Sequence, residues 1–383
     1  MMVNVAMWLL LARWAVGWYL GARNPMLTKS PTTEVSVHPS WQREIRLSVI
    51  VPARNEEAAL VTLLATVATQ TRVATEVIVI DDASSDDTAL VARAAGATVL
   101  QFGDPPAGWL GKPWACWQGA QHASGDVLVF VDADTVMAPT FLEDLTDRVL
   151  ERPGLVSIVP FHTTCHAYEQ ASGLFNLVAL MGVGVSSVRR KARATGAFGP
   201  CIAMRREDYE RIDGHRGLRG EVLDDIVLAR NAAAAGIEVR NYVGGASFQY
   251  RMYPNGLRQL IEGWSKNIVG GATSTPWLRL LAIAAWVSGL IEAGWRFSAG
   301  LVGVVFGGAP PNTWDIVIYL LFALQLLVLL RRVGSFKVAA LVHPIATMMF
   351  LVIFVRSAVM SIRGEVTWKD RTIQLPRARA EHS

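Results

Sequence analysis

The stretch Val127-Leu128-Val129-Phe130-Val131-Asp132-Ala133-Asp134 decides how the chain folds, because five apolar residues run directly into two carboxylates. An apolar run without alternation is typical of a strand that is buried on both faces, as in a parallel sheet covered by helices. Ligands bind where such strands end, because the connecting loops form a crevice there. Two acids at that edge repel each other unless a cation lies between them, and a hard divalent cation that also bonds phosphate oxygens fits this position. Two solvated loop aspartates are the alternative for an isolated pair.

Two earlier segments repeat this arrangement of an apolar strand that ends in charged residues. The string LSVIVP (residues 47–52) runs into ARNEE (53–57). The string EVIVI (76–80) runs into Asp81 and Asp82. A helical pattern follows each strand, with apolar residues three and four positions apart. Strands and helices that alternate at this spacing predict right-handed crossovers and therefore an α/β fold with a doubly wound sheet.

The order and spacing of four strings resemble the glycosyltransferases of family 2, which use the nucleotide-sugar fold called GT-A. These strings are VIVPARNEE (49–57), VIVIDDASSDDT (77–88), VFVDADT (129–135) and LDDIVLAR (223–230), and GPCIAMRRE (199–207) matches the acceptor-side loop of the family. Two further strings resemble a membrane-anchored subgroup associated with carotenoid, hopanoid and other lipid acceptors: GWLGKPWA (108–115) and RMYPNGL (251–257). The resemblance implies a GT-A-type doubly wound nucleotide-sugar-binding domain from near Leu47 to about Tyr253.

The resemblance also implies which residues bind the substrates and the cofactor. It places a divalent cofactor, Mg²⁺ or Mn²⁺, on Asp132 and Asp134, where the ion would offset the charge of the leaving diphosphate. It places Lys112 in a loop near the phosphates, although a solvated surface lysine is the alternative at that position. The implied substrate-binding residues are Pro52, Arg54, Glu56, Asp81, Asp82, Lys112, Asp132 and Gly199.

Asp224 and Asp225 open a helical pattern, and the resemblance implies that Asp225 is the catalytic base, with Asp224 where relatives usually carry Glu. A base needs an acceptor hydroxyl within hydrogen-bond reach. We expect the positive end of the helix dipole to hold both carboxylates ionised. Attack opposite the leaving group would invert the anomeric centre. A helix-capping role without catalysis is the alternative.

The charges of the chain are divided unevenly. Residues 41–250 hold 19 Lys and Arg against 25 Asp and Glu, whereas the remainder holds 17 against 7. The basic excess therefore lies beside the apolar segments, where it suits an anionic lipid bilayer. An acidic catalytic segment without a recognition motif argues against a nucleic-acid partner.

Apolar segments at both ends predict transmembrane helices on either side of the catalytic segment. The C-terminal candidates are Leu278–Phe306, Trp314–Leu330 and Val338–Val355, and a buried core helix is the alternative for each one singly. The predicted organisation is an uncleaved N-terminal transmembrane anchor (1–22), a linker (23–46), the GT-A domain (47–253), an amphipathic interfacial segment (254–276), C-terminal transmembrane helices (277–360) and a basic tail (361–383).

The interfacial segment carries apolar residues at helical spacing, and an amphipathic helix in the membrane interface would place Trp264 at the level of the headgroups. A helix packed on protein is the alternative. The short loop that holds Arg331, Arg332 and Lys337 favours the cytoplasm, whereas the side of the C-terminal tail stays open. We therefore predict a multi-pass protein of the cell membrane whose catalytic domain faces the cytoplasm.

These features together predict a membrane-bound inverting glycosyltransferase that moves a sugar from a nucleotide sugar, of the uridine-diphosphate type, to a lipid such as a carotenoid or hopanoid. A polysaccharide synthase-like enzyme and a non-catalytic nucleotide- or lipid-binding membrane protein are the alternatives. A dinucleotide-dependent oxidoreductase is excluded, because Pro52-Ala53-Arg54-Asn55 stands where the first strand would lead into G-x-G-x-x-G.

Overall fold

A computed structural model describes residues 5–23, 25–27, 45–188, 195–221, 223–363, 365–368 and 371–374. The chain divides into two compact units. The sheet unit comprises Pro25–His162 and Arg193–Met252, and the helical unit comprises Met1–Asn24, Thr163–Ala192 and Tyr253–Ser383.

The strands are β1 (Leu47–Ala53), β2 (Glu76–Asp81), β3 (Thr98–Gln101), β4 (Val127–Val131), β5 (Thr135–Met137), β6 (Leu155–Val159), β7 (Phe161–His162), β8 (Cys201–Arg205), β9 (Val239–Val243), β10 (Phe248–Tyr250), β11 (Glu365–Trp368) and β12 (Arg371–Gln374). The helices are α1 (Val5–Gly21), α2 (Glu57–Ala68), α3 (Thr88–Ala94), α4 (Gly111–His122), α5 (Phe141–Glu151), α6 (Ser172–Val183), α7 (Arg206–Arg211), α8 (Asp224–Ala234), α9 (Leu257–Ser274), α10 (Trp277–Val305), α11 (Thr313–Leu330) and α12 (His343–Arg363). Short 3₁₀ turns lie at Ala167–Ala171, Gly214–Leu218 and Gly245–Ser247.

The main sheet of the sheet unit has seven strands in the order β3-β2-β1-β4-β8-β6-β9. All five residues of β4 are buried, as the apolar run predicts, because one apolar cluster covers each face of the sheet. The predicted α/β fold is therefore confirmed. The sheet is mixed rather than wholly parallel, since β8 runs antiparallel to both β4 and β6.

The helical unit contains three helices that are long and apolar enough to cross a membrane, namely α10, α11 and α12. The first two match the predicted spans within one residue at each end. The third begins at His343 instead of the predicted Val338, and Pro344 lies in its first turn, where a missing N–H is tolerated. Helix α1 has 17 residues and spans about 26 Å at 1.5 Å per residue, so the N-terminal anchor stays a prediction.

Helix α9 corrects the expectation that Trp264 lies among lipid headgroups. The Trp264 ring stacks on Phe175 of α6 with the centroids 4.9 Å apart, and its indole N–H donates to Ser172 Oγ at 3.1 Å. Trp264 is only 6% exposed, because the apolar face of α9 packs on other helices of this unit. The alternative of a protein-packed helix is therefore correct for this face.

The boundaries of the units differ from the predicted domains at one segment. Residues 163–192 interrupt the expected continuous domain (47–253), because they cluster with the helical unit. Most of the predicted linker, residues 28–44, lies outside the described residues, and so does most of the basic tail. In the part of that tail that is described, β11 and β12 pair as an antiparallel hairpin.

Candidate active site

The carboxyl ends of three neighbouring strands bring the candidate residues to one edge of the main sheet. Strand β1 pairs in parallel with β2 on one side and with β4 on the other, and Ile50 lies opposite Phe130. Two residues further along, this register brings Pro52 level with Asp132. Arg54 and Asp82 follow directly after β1 and β2, so strand registration alone gathers them at the same edge.

The loops after β1 and β2 are fastened to each other. Arg54 Nη1 donates to the backbone oxygen of Asp82 at 2.9 Å, and the guanidinium lies 3.9 Å from the Asp82 carboxylate. The backbone N–H of Glu56 donates to Thr88 Oγ1 at 2.9 Å, while that of Asn55 donates to Ser84 Oγ at 2.9 Å. Arg54 and Glu56 are thereby held in place, as a pre-formed binding loop requires.

Asp81 does not have the substrate-binding geometry that we expect for it from the sequence. Its side chain is buried, its Oδ2 accepts from Gln101 Nε2 at 2.6 Å, and its Oδ1 accepts from the backbone N–H of Ser84 at 3.0 Å. Successive strand residues point to opposite faces, so Asp81 faces the protein. We assign Asp81 a positioning role for the loop that carries Asp82.

Lys112 forms an ion pair with Asp132, with its Nζ 2.6 Å from Asp132 Oδ1. The residue lies in the first turn of α4 and not in a loop as expected. Burial disfavours the charged ammonium, but attraction by Asp132 and then Asp224 outweighs it and raises the pKa of Lys112. The ammonium therefore stays charged as a fixed cation between two groups of acids.

Asp134 is held close to other acids. Desolvation by the surrounding protein, followed by repulsion from Asp132 and Glu56, raises the pKa of Asp134 above its usual range. A divalent cation at this position would relieve the repulsion. The described residues contain no group of three or more His, Cys, Asp or Glu side chains that could enclose a metal ion. Two carboxylates nevertheless fit Mg²⁺ or Mn²⁺, because such ions take much of their coordination from water and substrate phosphates.

Asp225 is the second residue of α8 and contacts Gly199. Its Oδ2 accepts from the backbone N–H of Gly199 at 3.0 Å, and its Oδ1 accepts from the N–H of Ile226 at 2.8 Å. Burial and then repulsion from Asp224 raise the pKa of Asp225, and these two effects outweigh Lys112 and the backbone N–H groups of Ile226 and Gly199, which lower it. A raised pKa makes the carboxylate a better proton acceptor.

Gly199 lies where Lys112 and Asp225 approach each other. A Cβ at this position would lie 3.3 Å from Lys112 Nζ and 3.5 Å from Asp225 Oδ2. The two side chains therefore share one small space, which a glycine leaves open.

The sequence does not reveal two further features of the sheet unit. His215 lies buried against Phe130 with the ring centroids 4.7 Å apart, and burial lowers its pKa to about 4, so its imidazole is neutral. Trp109 contacts Arg219, although 110 residues separate them along the chain. Repeated tryptophans in GWLGKPWACW (108–117) are the signal that could have indicated an aromatic cluster.

Comparison with known proteins identifies the family. Residues 48–213 match the family model for Glycosyl transferase family 2. The 4,4'-diaponeurosporenoate glycosyltransferase of Staphylococcus aureus (strain USA300) is 35% identical over 335 residues, which cover 85% of this chain and 87% of that protein. The chain belongs to glycosyl transferase family 2. The predicted family and the glycosyltransferase activity are thereby confirmed.

A solved structure of a further glycosyltransferase shares the fold. The mannosyltransferase PcManGT from Pyrobaculum calidifontis, in complex with GDP-Man and Mn²⁺, superposes with a TM-score of 0.54 at 17% identity. The match covers 92% of this family 2 chain and 94% of that chain. This likeness confirms the GT-A fold, and the metal in that complex belongs to the mannosyltransferase.

Proposed function

We propose that this family 2 enzyme transfers a sugar from a nucleotide-sugar donor, of the uridine-diphosphate type, to a membrane lipid with inversion at the anomeric carbon. The observation that carries the proposal is the arrangement at the end of β4. There Asp132 pairs with Lys112, and the Lys112 ammonium and the Asp225 carboxylate both lie close to Gly199. A cation for the leaving diphosphate and a carboxylate for the acceptor group thereby lie close enough to act on one reacting carbon.

The donor nucleoside would bind at the fastened loops after β1 and β2. Pro52, Arg54, Glu56 and Asp82 are all partly accessible there. The Asp82 carboxylate can accept hydrogen bonds from a ribose hydroxyl or a ring N–H. The diphosphate would then extend toward Lys112, whose ammonium supplies a point charge.

Asp132 and Asp134 would hold Mg²⁺ or Mn²⁺ together with the donor diphosphate. When bound, the ion supplies Lewis-acid stabilisation of the negative charge on the leaving diphosphate. The raised pKa of Asp134 supports this assignment, because the acids at this position repel one another until a cation joins them.

Asp225 would accept the proton of an acceptor hydroxyl. The new bond forms between that oxygen and the anomeric carbon, the bond from this carbon to the diphosphate breaks, and the proton moves to Asp225 Oδ. The space that Gly199 leaves open beside Asp225 is where the acceptor would approach.

The acceptor that we propose is a carotenoid or a similar membrane lipid. Support comes from the Staphylococcus aureus relative, whose name identifies a carotenoid carboxylate as the compound that it glycosylates. This relative also favours a lipid over a growing polysaccharide. A carboxylate acceptor is already ionised, so its transfer would need no base, whereas a hydroxyl acceptor would need Asp225.

We further propose that α10, α11 and α12 cross the cell membrane and that the sheet unit works on the cytoplasmic side. The three helices have the required length and apolarity. Arg331, Arg332 and Lys337 between α11 and α12 favour a cytoplasmic loop. Cytoplasmic placement would also give the enzyme access to nucleotide sugars.

The experiment that tests this function is diphosphate release by detergent-purified full-length enzyme. Each of several uridine- and guanosine-diphosphate sugars is supplied with Mg²⁺, Mn²⁺ or chelator, and with or without a polyene lipid in micelles. We expect release with one donor that needs metal and is stimulated by lipid. Release unaffected by chelator, or unaffected by any lipid, would contradict the proposal.

A further inference from the structure

A short stretch of backbone, which we call the bridging segment (residues 196–200), connects the two groups of acids in the active site. It directly precedes β8 and belongs to no helix or strand. The backbone oxygen of Pro200 accepts from the N–H of Asp132 at 3.0 Å, and the N–H of Gly199 donates to Asp225 Oδ2 at 3.0 Å. Two neighbouring residues of the segment therefore contact the end of β4 and the proposed base.

Ser157 of β6 holds the middle of the bridging segment. Its hydroxyl accepts from the backbone N–H of Phe198 at 2.7 Å and donates to the backbone oxygen of the same residue at 3.1 Å. The Ser157 side chain is 0% exposed. One buried hydroxyl thus supplies Phe198 with both of the hydrogen bonds that a neighbouring strand would otherwise supply.

Asn241 of β9 holds the start of the bridging segment. Its amide nitrogen donates to the backbone oxygen of Gly196 at 3.0 Å. Asn241 lies opposite Ser157 in the parallel register of β6 and β9, so both side chains lie on the same face of the sheet. Two adjacent strands therefore fix the segment from one face.

The free energy of folding does not explain why an asparagine stands at position 241. The residue is buried, and its Oδ1 has no hydrogen-bond partner among the residues that the structure describes. A buried acceptor without a donor costs free energy, and an apolar side chain of similar shape, such as leucine, would avoid this cost. The contact that distinguishes Asn241 from leucine is its hydrogen bond to the bridging segment.

We propose that Ser157 and Asn241 are positioning residues that hold Gly199 against Asp225 and so orient the carboxylate that accepts the proton. Without them, the Asp225 carboxylate would lose one of the two backbone N–H groups that fix it, and it would keep only the N–H of Ile226. The inference rests on the proposed function and adds two residues that act through Gly199.

The other end of the bridging segment is fixed independently. Strand β8 begins directly after Pro200, and its first residue, Cys201, pairs with Val131 of β4. Loosening of the segment at Gly196 and Phe198 would therefore leave Pro200 bonded to Asp132. We expect the metal-binding carboxylates to keep their places while the base moves.

The test measures diphosphate release by full-length enzyme in micelles, with the nucleotide sugar that the wild type uses, Mn²⁺, and retinol as a polyene alcohol. Ser157→Ala and Asn241→Leu should each lower kcat by about 10- to 100-fold, because a displacement of about 1 Å misaligns the base and the acceptor hydroxyl. The KM of the donor and the binding of Mn²⁺ should change less than about twofold, since neither depends on the base.

Ser48→Ala is the matched control for Ser157→Ala. Ser48 is also 0% exposed on a strand, and its hydroxyl accepts from the backbone N–H of Gly125 at 2.8 Å. Both variants should lower the melting temperature by similar amounts, because each leaves a buried N–H without an acceptor. Only Ser157→Ala should lower kcat per folded molecule, and Ser157→Thr, which returns a hydroxyl, should restore it. Asn241→Leu should melt no lower than the wild type.

The pH profile is a second readout, which a loss of folded enzyme would not move. Burial and Asp224 raise the pKa of Asp225, whereas Lys112 and the N–H groups of Ile226 and Gly199 lower it. Loss of the Gly199 N–H would raise this pKa further. The acid limb of kcat/KM for transfer to retinol should therefore move to higher pH in Ser157→Ala and in Asn241→Leu.

Three results would overturn the positioning role. They are an unchanged kcat in Ser157→Ala and Asn241→Leu, a fall in kcat that Ser48→Ala reproduces, and a fall in kcat that is accompanied by loss of Mn²⁺ binding. Failure of the proposed function is distinguishable, because wild-type enzyme would then show no diphosphate release that depends on metal and lipid.

Discussion

Two clusters of charged residues in this protein are built from the same side-chain types but are arranged differently. In the helical unit, Glu292 lies 2.8 Å from Arg13 and 2.9 Å from Arg296, and Arg296 lies 3.8 Å from Asp315. Two cations therefore balance two anions. At the sheet edge the acids outnumber the bases, with Glu56, Asp82, Asp132, Asp134, Asp224 and Asp225 against Arg54 and Lys112.

The difference separates a structural cluster from a functional one. Paired charges between apolar helices satisfy each other, which reduces the cost of burying them. Glu292 and Arg296 are four residues apart, which places them on one face of α10. At the sheet edge, repulsion among acids is left unrelieved at Asp134 and Asp225, whose pKa values are raised. An excess of acids at one site is typical of a binding or catalytic site, where a ligand of opposite charge relieves the repulsion.

The largest expected effect comes from the acid cluster, which is the group of acids at the sheet edge named above. Asp134→Asn should lower transfer by at least about 10²- to 10³-fold, because the leaving diphosphate loses its metal. The melting temperature should stay equal or rise, since repulsion from Asp132 and Glu56 is removed. Steady-state diphosphate release and thermal unfolding measure the two effects.

Asp126→Asn is the matched control for Asp134→Asn, because Asp126 directly precedes β4 at the opposite end of the same strand and accepts from the backbone N–H of Arg46 at 3.0 Å. Activity should stay near that of the wild type. Equal activity losses in the two variants would show that the acids at the carboxyl end of β4 have no special role.

The second effect depends on the acceptor. Asp225→Asn should lower transfer to a lipid hydroxyl by about 10²- to 10⁴-fold, because a proton acceptor is lost. Transfer to a lipid carboxylate should fall far less. Retinol and retinoic acid, assayed with the same donor, measure the ratio. Equal losses with both acceptors would contradict a role as base and indicate that Asp225 positions the substrates.

The third effect tests the paired cluster of the helical unit, which contains Arg13, Glu292, Arg296 and Asp315. Glu292→Gln should lower the free energy of unfolding by about 1–3 kcal/mol, because Arg13 and Arg296 lose their shared carboxylate. The rate of transfer per folded molecule should not change. Glu262→Gln is the control, since Glu262 pairs with Arg258 at the same spacing on an exposed surface and should cost at most about 1 kcal/mol. Lost activity at full stability in Glu292→Gln would mean that the paired cluster is functional.

The smallest effect is a shift along the pH axis. A base must be deprotonated, so transfer to a hydroxyl acceptor should decline as the pH falls through the raised pKa of Asp225. Asp224→Asn removes the repulsion that contributes to this raised pKa and should move the acid limb of kcat/KM toward lower pH. An unchanged limb would assign it to another group.

The sequence predicts well which residues lie at the edge of the sheet. Strands β1, β2 and β4 are apolar runs, and the carboxyl ends of parallel strands lie at the same edge. It cannot tell Asp81 from Asp82, since their roles depend on which one faces Gln101. The antiparallel β8 follows a long excursion of the chain through another unit, which local patterns do not encode. Trp264 shows the same limit, because amphipathic spacing identifies an apolar face without identifying what covers it.

The contact between Arg219 and Trp109 also lies beyond the reach of the sequence. The two residues meet only because the turn Gly214–Leu218 packs on α4. Periodicity and motif spacing describe neighbours along the chain, whereas this pair is set by the tertiary fold.

Mn²⁺ binding tests most directly whether the acid cluster is a metal-dependent transfer centre. Mn²⁺ would be titrated into wild-type enzyme, Asp134→Asn and Asp126→Asn, each with and without uridine diphosphate. Electron paramagnetic resonance would measure how much of the ion is bound. We predict one bound ion per chain in the wild type and in Asp126→Asn, tightened by the nucleotide, and no such site in Asp134→Asn. Binding that is equal in all three proteins, or absent from the wild type with nucleotide present, would contradict the assignment.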